Sequence, residues 1–187
     1  SAASDVYKRQ IQYRYVRYEA WGTNDNYIGQ EGMPMQPIDV DKTYHFFNPR
    51  AGVSYRLGER NSFFFSFAVA QKEPTRGDFT DRYMFTADYT YPSSEKLYDW
   101  ELGYQYTAPR LSLGVNLYYM KYKDQLVHTG MVNDSSDALN VNVPDSYRRG
   151  IELTASWRVT GWFTAGANAT FSQNRIENYV DALSNSP

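Results

Sequence analysis

The sequence has no cysteine, only two histidines and no long apolar run. Without cysteine there is neither a disulfide framework nor a thiolate metal site. His45 and His128 stand alone, with no nucleophile or carboxylate patterned around them, and no Gly-x-Ser-x-Gly elbow, P-loop or His-Glu-x-x-His occurs. An enzyme is therefore not expected, nor a bound metal or cofactor. The longest nearly pure apolar stretch, residues 63–70, is interrupted by Ser66 and falls far short of the ~20 residues a membrane-crossing helix needs. Charge is nearly balanced, 19 basic against 21 acidic residues, and lacks the basic surplus of a nucleic-acid binder.

Aromatic residues are abundant instead: 18 Tyr, 10 Phe and 4 Trp in 187 residues, at a mean hydropathy of −0.66. They fall into a period-two pattern. In residues 110–127 (RLSLGVNLYYMKYKDQLV), Leu111, Leu113, Val115, Leu117 and Tyr119 alternate with Ser112, Gly114, Asn116 and Tyr118. That alternation lasts for about ten residues, the length a tilted strand needs to cross a bilayer, where a soluble strand averages about five or six. It ends in Tyr118, Tyr119 and Tyr122 with Lys121 and Lys123, as a strand does on leaving hydrocarbon through an aromatic layer.

The same pattern recurs along the chain. Strands are predicted over 11–20, 47–57, 62–72, 95–107, 110–127, 145–159 and 162–179, with Pro49 near the start of its strand. Turn residues at 58–61, 108–109 and 160–161 make three short connections, and 21–44, 73–94 and 124–144 read as long polar loops. Brief turns alternating with longer loops are the rhythm of a transmembrane barrel. The expected fold is all-β: an antiparallel up-and-down meander of about seven long strands, part of a larger closed barrel. A β-sandwich would have shorter strands at more even spacing.

Charge fixes which face meets lipid. Arg50, Arg56, Asp99, Glu101, Glu152 and Arg158 share one face, and an Arg or Lys near the bilayer midplane costs about 2–4 kcal/mol. Arg50, Arg56, Glu101, Asn116, Glu152 and Arg158 are thus expected to face the lumen, with Phe63, Leu113 and Leu153 on lipid. Aromatic and Arg side chains are common anchors of binding surfaces, which makes Trp21, Tyr27, Arg76, Phe79, Arg82 and Tyr83 candidate ligand contacts, with Met33, Met35 and Tyr89 beside them. The tripeptide Arg76-Gly77-Asp78 is read as a chance match to an integrin motif, and Asp78, Asp81 and Asp88 as solvated carboxylates.

Residues 1–10 (SAASDVYKRQ) resemble the translation of a transposase sequencing adapter of the kind found at the ends of assembled short reads. They are set apart from the fold, and the natural sequence is expected to resume at Ile11. From there, four stretches resemble the C-terminal barrel of TonB-dependent outer-membrane receptors of the Bacteroidota type. They are NPRAGVSYRL (48–57), FSFAVAQKEPTRGDFTD (65–81), SSEKLYDWELGYQY (93–106) and SYRRGIELTASWRV (146–159). The resemblance implies a 22-stranded barrel filled by an N-terminal plug. It also implies a place in the bacterial outer membrane, contact with outer-membrane lipid, and a TonB box engaged by TonB–ExbB–ExbD. The cargo would be a scarce small-molecule or chelate ligand: a ferric siderophore, haem, cobalamin or an oligosaccharide. Residues 11–187 carry no plug or TonB box, so they are expected to be an incomplete barrel domain, supplying wall and extracellular loops. A passive porin-like barrel, or a soluble β-rich binding module, are the alternatives.

Overall fold

The computed structural model describes residues 4–24, 36–80, 91–132 and 138–177. These form β1 (Ser4–Asn24), β2 (Gln36–Leu57), β3 (Asn61–Lys72), a one-turn helix α1 (Arg76–Thr80), β4 (Glu95–Thr107), β5 (Leu111–Val132), β6 (Ala138–Arg158) and β7 (Thr164–Glu177). All seven strands lie in one antiparallel sheet in chain order. The up-and-down meander expected from the alternation is present.

At one end the strands are joined by tight turns. Gly58 takes φ of 66°, a left-handed conformation that costs a residue with a Cβ but not glycine. At the second turn Ala108 and Leu111 exchange backbone hydrogen bonds, and at the third the Phe163 amide donates to Thr160 Oγ1 at 3.0 Å.

The other end differs from expectation. Two hairpins, β1–β2 and β5–β6, rise far beyond the predicted strand ends, pairing Trp21 with Asp39 and His128 with Asn140. Much of 21–44 and 124–144, read as loop, is therefore strand. Side-chain alternation marks where one face is apolar, whereas the backbone ladder continues wherever two chains stay in register. Pro49 sits inside β2 rather than near its start. It pairs with Ile11 one step beyond Arg50–Ala68, where the β2–β3 ladder ends, so its missing N–H breaks no rung there. Residues 4–10, set apart in the sequence, continue β1 and pair with 50–56.

Register divides the sheet into two faces. One carries Val53, Phe65, Leu102, Leu117 and Ile151 as successive cross-strand neighbours, and the row below it carries Tyr55, Phe63, Tyr104, Val115 and Leu153. The other carries Gly52, Ser66, Glu101, Tyr118 and Gly150, then Ser54, Phe64, Gly103, Asn116 and Glu152. The apolar face is uncovered: Leu102 is 51% exposed, Leu117 44% and Phe65 44%. Buried apolar side chains among the described residues are only Val40, Phe46, Phe79, Tyr118 and Val143. Within this chain the apolar face has no covering layer, as in a wall whose greasy side meets an apolar surrounding.

The polar face is concave. Phe79 of α1 stacks on Tyr18 of β1, ring centroids 4.8 Å apart, while Asp78 accepts a hydrogen bond from Asn140 of β6 at 2.7 Å. In a flat sheet, strands five places apart lie about 24 Å from each other. One turn of helix reaches both only because the sheet rolls up around its polar side.

Candidate functional site at the loop end of the concave face

The segment after β3 folds inward over the top of β1 and β2. Its foot is a two-pronged ion pair: Arg14 donates to Glu73 Oε1 at 3.2 Å and Oε2 at 2.5 Å, and to the Gln71 carbonyl at 3.2 Å. The guanidinium also lies 4.9 Å from the centre of the Phe46 ring. Bidentate geometry and the ring fix Arg14 more firmly than a lone surface pair would. Thr75 precedes α1, its amide and hydroxyl both donating to Asp78 Oδ2, at 2.6 and 2.7 Å, which supplies the carboxylate arm of a capping box. After the turn, the Tyr91 hydroxyl donates to the Asp39 carbonyl at 3.0 Å, and the Ser93 amide to Asn142 at 2.8 Å. The segment is thus tied to both tall hairpins.

These ties correct two readings. Phe79 is 0% exposed, packed between Tyr18 and Tyr91, so it anchors the segment instead of presenting a ring to ligand. Asp78 is buried with both carboxylate oxygens hydrogen-bonded; it is neither a solvated carboxylate nor available to an integrin-type receptor. Two other candidates come together. Trp21, 81% exposed, and Arg76 line a cavity of about 390 Å³ with Tyr18, Glu19, Ala20 and Ile38. An indole and a guanidinium beside an open cleft can hold a flat or anionic group by stacking and charge-assisted hydrogen bonds, whereas the Glu19 carboxylate, paired with Arg17, works against an anion. Tyr27, Arg82 and Tyr83 lie outside the described residues, as do Met33, Met35, Asp81, Asp88 and Tyr89.

Below this site, the register puts Arg50, Arg56, Glu101, Asn116, Glu152 and Arg158 on the concave face. None of the six is in an ion pair among the described residues. Asp99 Oδ1, Asn116 Oδ1 and the Tyr118 hydroxyl, on the same face, are buried without a hydrogen-bond partner. Such atoms call for polar groups placed against the wall. Two ring-on-glycine contacts were not foreseen. Phe64 covers Gly103, and Tyr118 covers Gly150, where an added Cβ would meet the Phe171 carbonyl at 2.5 Å. An aromatic next to a cross-strand glycine is visible in a sequence only once the register is known.

His45 lies within β2 on the convex face. Its Nδ1 is 2.7 Å from the Tyr13 hydroxyl, and Tyr15 meets the ring edge-on. It belongs to an aromatic belt that continues on neighbouring strands through Phe67, Trp100, Tyr119 and Tyr147, successive centroids 5.3, 5.7 and 6.2 Å apart. Toward the turn end a second belt has Tyr106 and Trp157, while Tyr55, Phe63 and Tyr104 lie in the row of Val115 and Leu153.

Two belts bounding an exposed apolar band on a rolled meander match the comparison with known families. Residues 11–187 match the family described as TonB dependent receptor-like, beta-barrel. This chain belongs to that family. Among solved structures, the FrpB iron transporter from Neisseria meningitidis (F5-1 variant, apoprotein) aligns at TM-score 0.64 and 18% identity over 92% of this chain and 24% of its own. The copper transporter OprC aligns at TM-score 0.69 and 16% identity, over 92% and 27%. The siderophore receptor PirA from Pseudomonas aeruginosa aligns at 0.59 and 16%, over 89% and 32%. At these identities the likeness establishes the fold. The chain spans about a quarter to a third of the solved structures it resembles. No curated protein matches the sequence. Residues 1–10 lie outside the family match.

Proposed function

We propose that this chain is a section of barrel wall from an outer-membrane TonB-dependent transporter, with its convex face in lipid and its concave face toward the lumen. The observation that carries the proposal is the two-faced register. The large apolar rows between the belts are convex, with Phe65, Leu102, Leu113, Leu117 and Leu153 exposed, whereas Arg50, Arg56, Glu101 and Glu152 are concave. On this reading the unpartnered Asp99, Asn116 and Tyr118 atoms face a polar plug filling the barrel. The tall hairpins and the inward-folded segment form the mouth, where Trp21 and Arg76 contact a scarce ligand. TonB–ExbB–ExbD would supply the energy through a TonB box on the plug.

The solved relatives named as iron, copper and siderophore proteins favour a metal or metal chelate over cobalamin or an oligosaccharide as cargo. The test is growth of a strain whose sole ferric-chelate uptake system is the receptor carrying this segment, with and without TonB. Uptake that requires both, with the receptor in outer-membrane fractions, is expected. Uptake that persists without TonB would instead make it a passive barrel.

A further inference from the structure

Three strands present a grid of side chains on the convex face at the upper belt. Its rows, read across β4, β5 and β6, are Lys96, Lys123 and Asp145; Tyr98, Lys121 and Tyr147; and Trp100, Tyr119 and Arg149. On these three strands four cations therefore share a patch about 15 Å across with one carboxylate, given strand spacings of about 5 Å, and β7 adds Glu177 beside Asp145 and Arg175 beside Tyr147. Asp145 is engaged with Lys121 at 3.4 Å. Lys96 lies 4.9 Å over the Tyr98 ring, and Arg149 lies 5.6 Å over Tyr147 while its Nε donates to Gln173 at 2.9 Å. The aromatic rings hold the charged heads of Lys96 and Arg149 against the wall, within the patch.

At the register level of the grid, the convex face of β1 and β2 carries Arg9, Ile11 and Tyr13 beside Ala51, Pro49 and Phe47, so the cations are concentrated on β4 to β6. Immediately below the grid run Leu102, Leu117 and Ile151, the start of the apolar band. The cations thus stand where hydrocarbon gives way to headgroups, the depth at which lipid phosphates lie.

We infer that the Lys96–Lys121–Lys123–Arg149 cluster binds the phosphate groups of a lipid in the loop-side leaflet. This rests on the proposed bilayer placement of the convex face. A headgroup with two phosphates suits it best, because Lys96 and Lys123 are adjacent in one row while Arg149 lies two rows away, so separate anions can be held at once. Asp145 opposes binding and limits its strength.

The experiment uses the receptor carrying this segment in phosphatidylcholine nanodiscs doped with fluorescent bis-phosphoryl lipid A, a phosphate-free analogue as control. Each juxtamembrane cation contributes about fivefold to attraction of an anionic surface. The combined variant Lys96→Gln, Lys121→Gln, Lys123→Gln and Arg149→Gln is expected to lose roughly 100-fold in affinity, after screening by salt. Asp145→Asn is expected to gain about fivefold. If the fourfold variant does not insert, Lys123→Gln and Asp145→Asn still decide by moving affinity in opposite directions. Unchanged affinity in the inserted variants would overturn the inference, as would equal binding of the phosphate-free analogue. Displacement of the lipid by millimolar inorganic phosphate would also overturn it, by making free phosphate the ligand. Failure of the wild-type receptor to insert in bilayers would instead remove the transporter reading itself.

Discussion

Leu153→Arg and Glu152→Arg place the same charge one residue apart on β6, and the two-faced wall predicts opposite results. Leu153 lies in the row Tyr104–Val115–Leu153, midway between the belt at Trp100 and Tyr119 and the belt at Trp157. From Tyr119 to Leu111 the strand advances about 26 Å, shortened by tilt to about 20 Å, so this row falls near the centre of an apolar band about 25 Å tall. Arginine there costs about 2–4 kcal/mol. Leu153 is still 37% exposed within the chain, so taking its side chain away from the lipid tails adds about 1–2 kcal/mol. The sum, about 3–6 kcal/mol, would abolish folding of many barrels. Glu152 faces the concavity beside Asn116 and is exposed, so Glu152→Arg should shift stability by less than about 1 kcal/mol. The assay is a denaturant titration of the receptor carrying this segment in lipid vesicles, read by heat-modifiable gel mobility and tryptophan fluorescence. In water the order would collapse, because exposed Leu→Arg exchanges usually change stability by less than about 0.5 kcal/mol. Equal midpoints for the two variants, or a larger loss for Glu152→Arg, would refute the placement of both faces.

Three further outcomes follow from the contacts at the mouth and on the concave wall. Gly103→Ala should destabilise by about 1–3 kcal/mol, since a Cβ there displaces the Phe64 ring, and Gly103→Ala with Phe64→Ala should recover part of the loss in the same titration. Arg14 and Glu73 are 39% and 27% exposed, so a double-mutant cycle with Arg14→Met and Glu73→Gln should give a coupling of about 1 kcal/mol, falling as salt rises. Trp21→Ala and Arg76→Ala should each lower ligand affinity by about tenfold or more at unchanged outer-membrane abundance, and unchanged affinity would detach the 390 Å³ cleft from recognition.

Alternation made the wall legible because the strands present a sustained apolar face. Leu111, Leu113, Val115 and Leu117 declare their face residue by residue, and the tight turns follow from Gly58, Ala108-Pro109 and Thr160-Gly161. Strand ends were not legible. Above the belts neither face is greasy, and Arg17, Glu19, Asp39 and Asp41 read as loop or strand terminus although they sit in a continuous ladder. At the candidate site, exposed-looking composition misled for Phe79 and Asp78. The signal that could have corrected it was present in Thr75-x-x-Asp78, a helix-opening pattern that commits the carboxylate to its own backbone. The Arg14–Glu73 and Asn140–Asp78 contacts join residues 59 and 62 positions apart. No local pattern encodes such separations; they appear only when the sheet rolls.

That roll also decides how the segment after β3 can work. Its ties run to two hairpins on opposite sides of the concavity: Arg14 and Tyr18 on β1, and Asn140 and Asn142 on β6. A segment fixed to one hairpin could swing with it, but one fixed to both resists their separation. Any widening of the mouth must stretch the Asp78–Asn140 bond, the Phe79–Tyr18 stack or both. The bond to a carboxylate contributes about 1.5–3 kcal/mol and the stack about 0.5–1.5 kcal/mol beyond burial. The double variant Asn140→Ala with Asn142→Ala should therefore release the β6 side alone, leaving the segment on β1. Spin labels at the exposed positions Glu19 and Val141 leave these ties untouched. The distance distribution between them should broaden in that variant, whereas the Arg14–Glu73 coupling stays intact. A distribution as narrow as wild type would mean that the curvature comes from the strands themselves, with the segment merely resting in it.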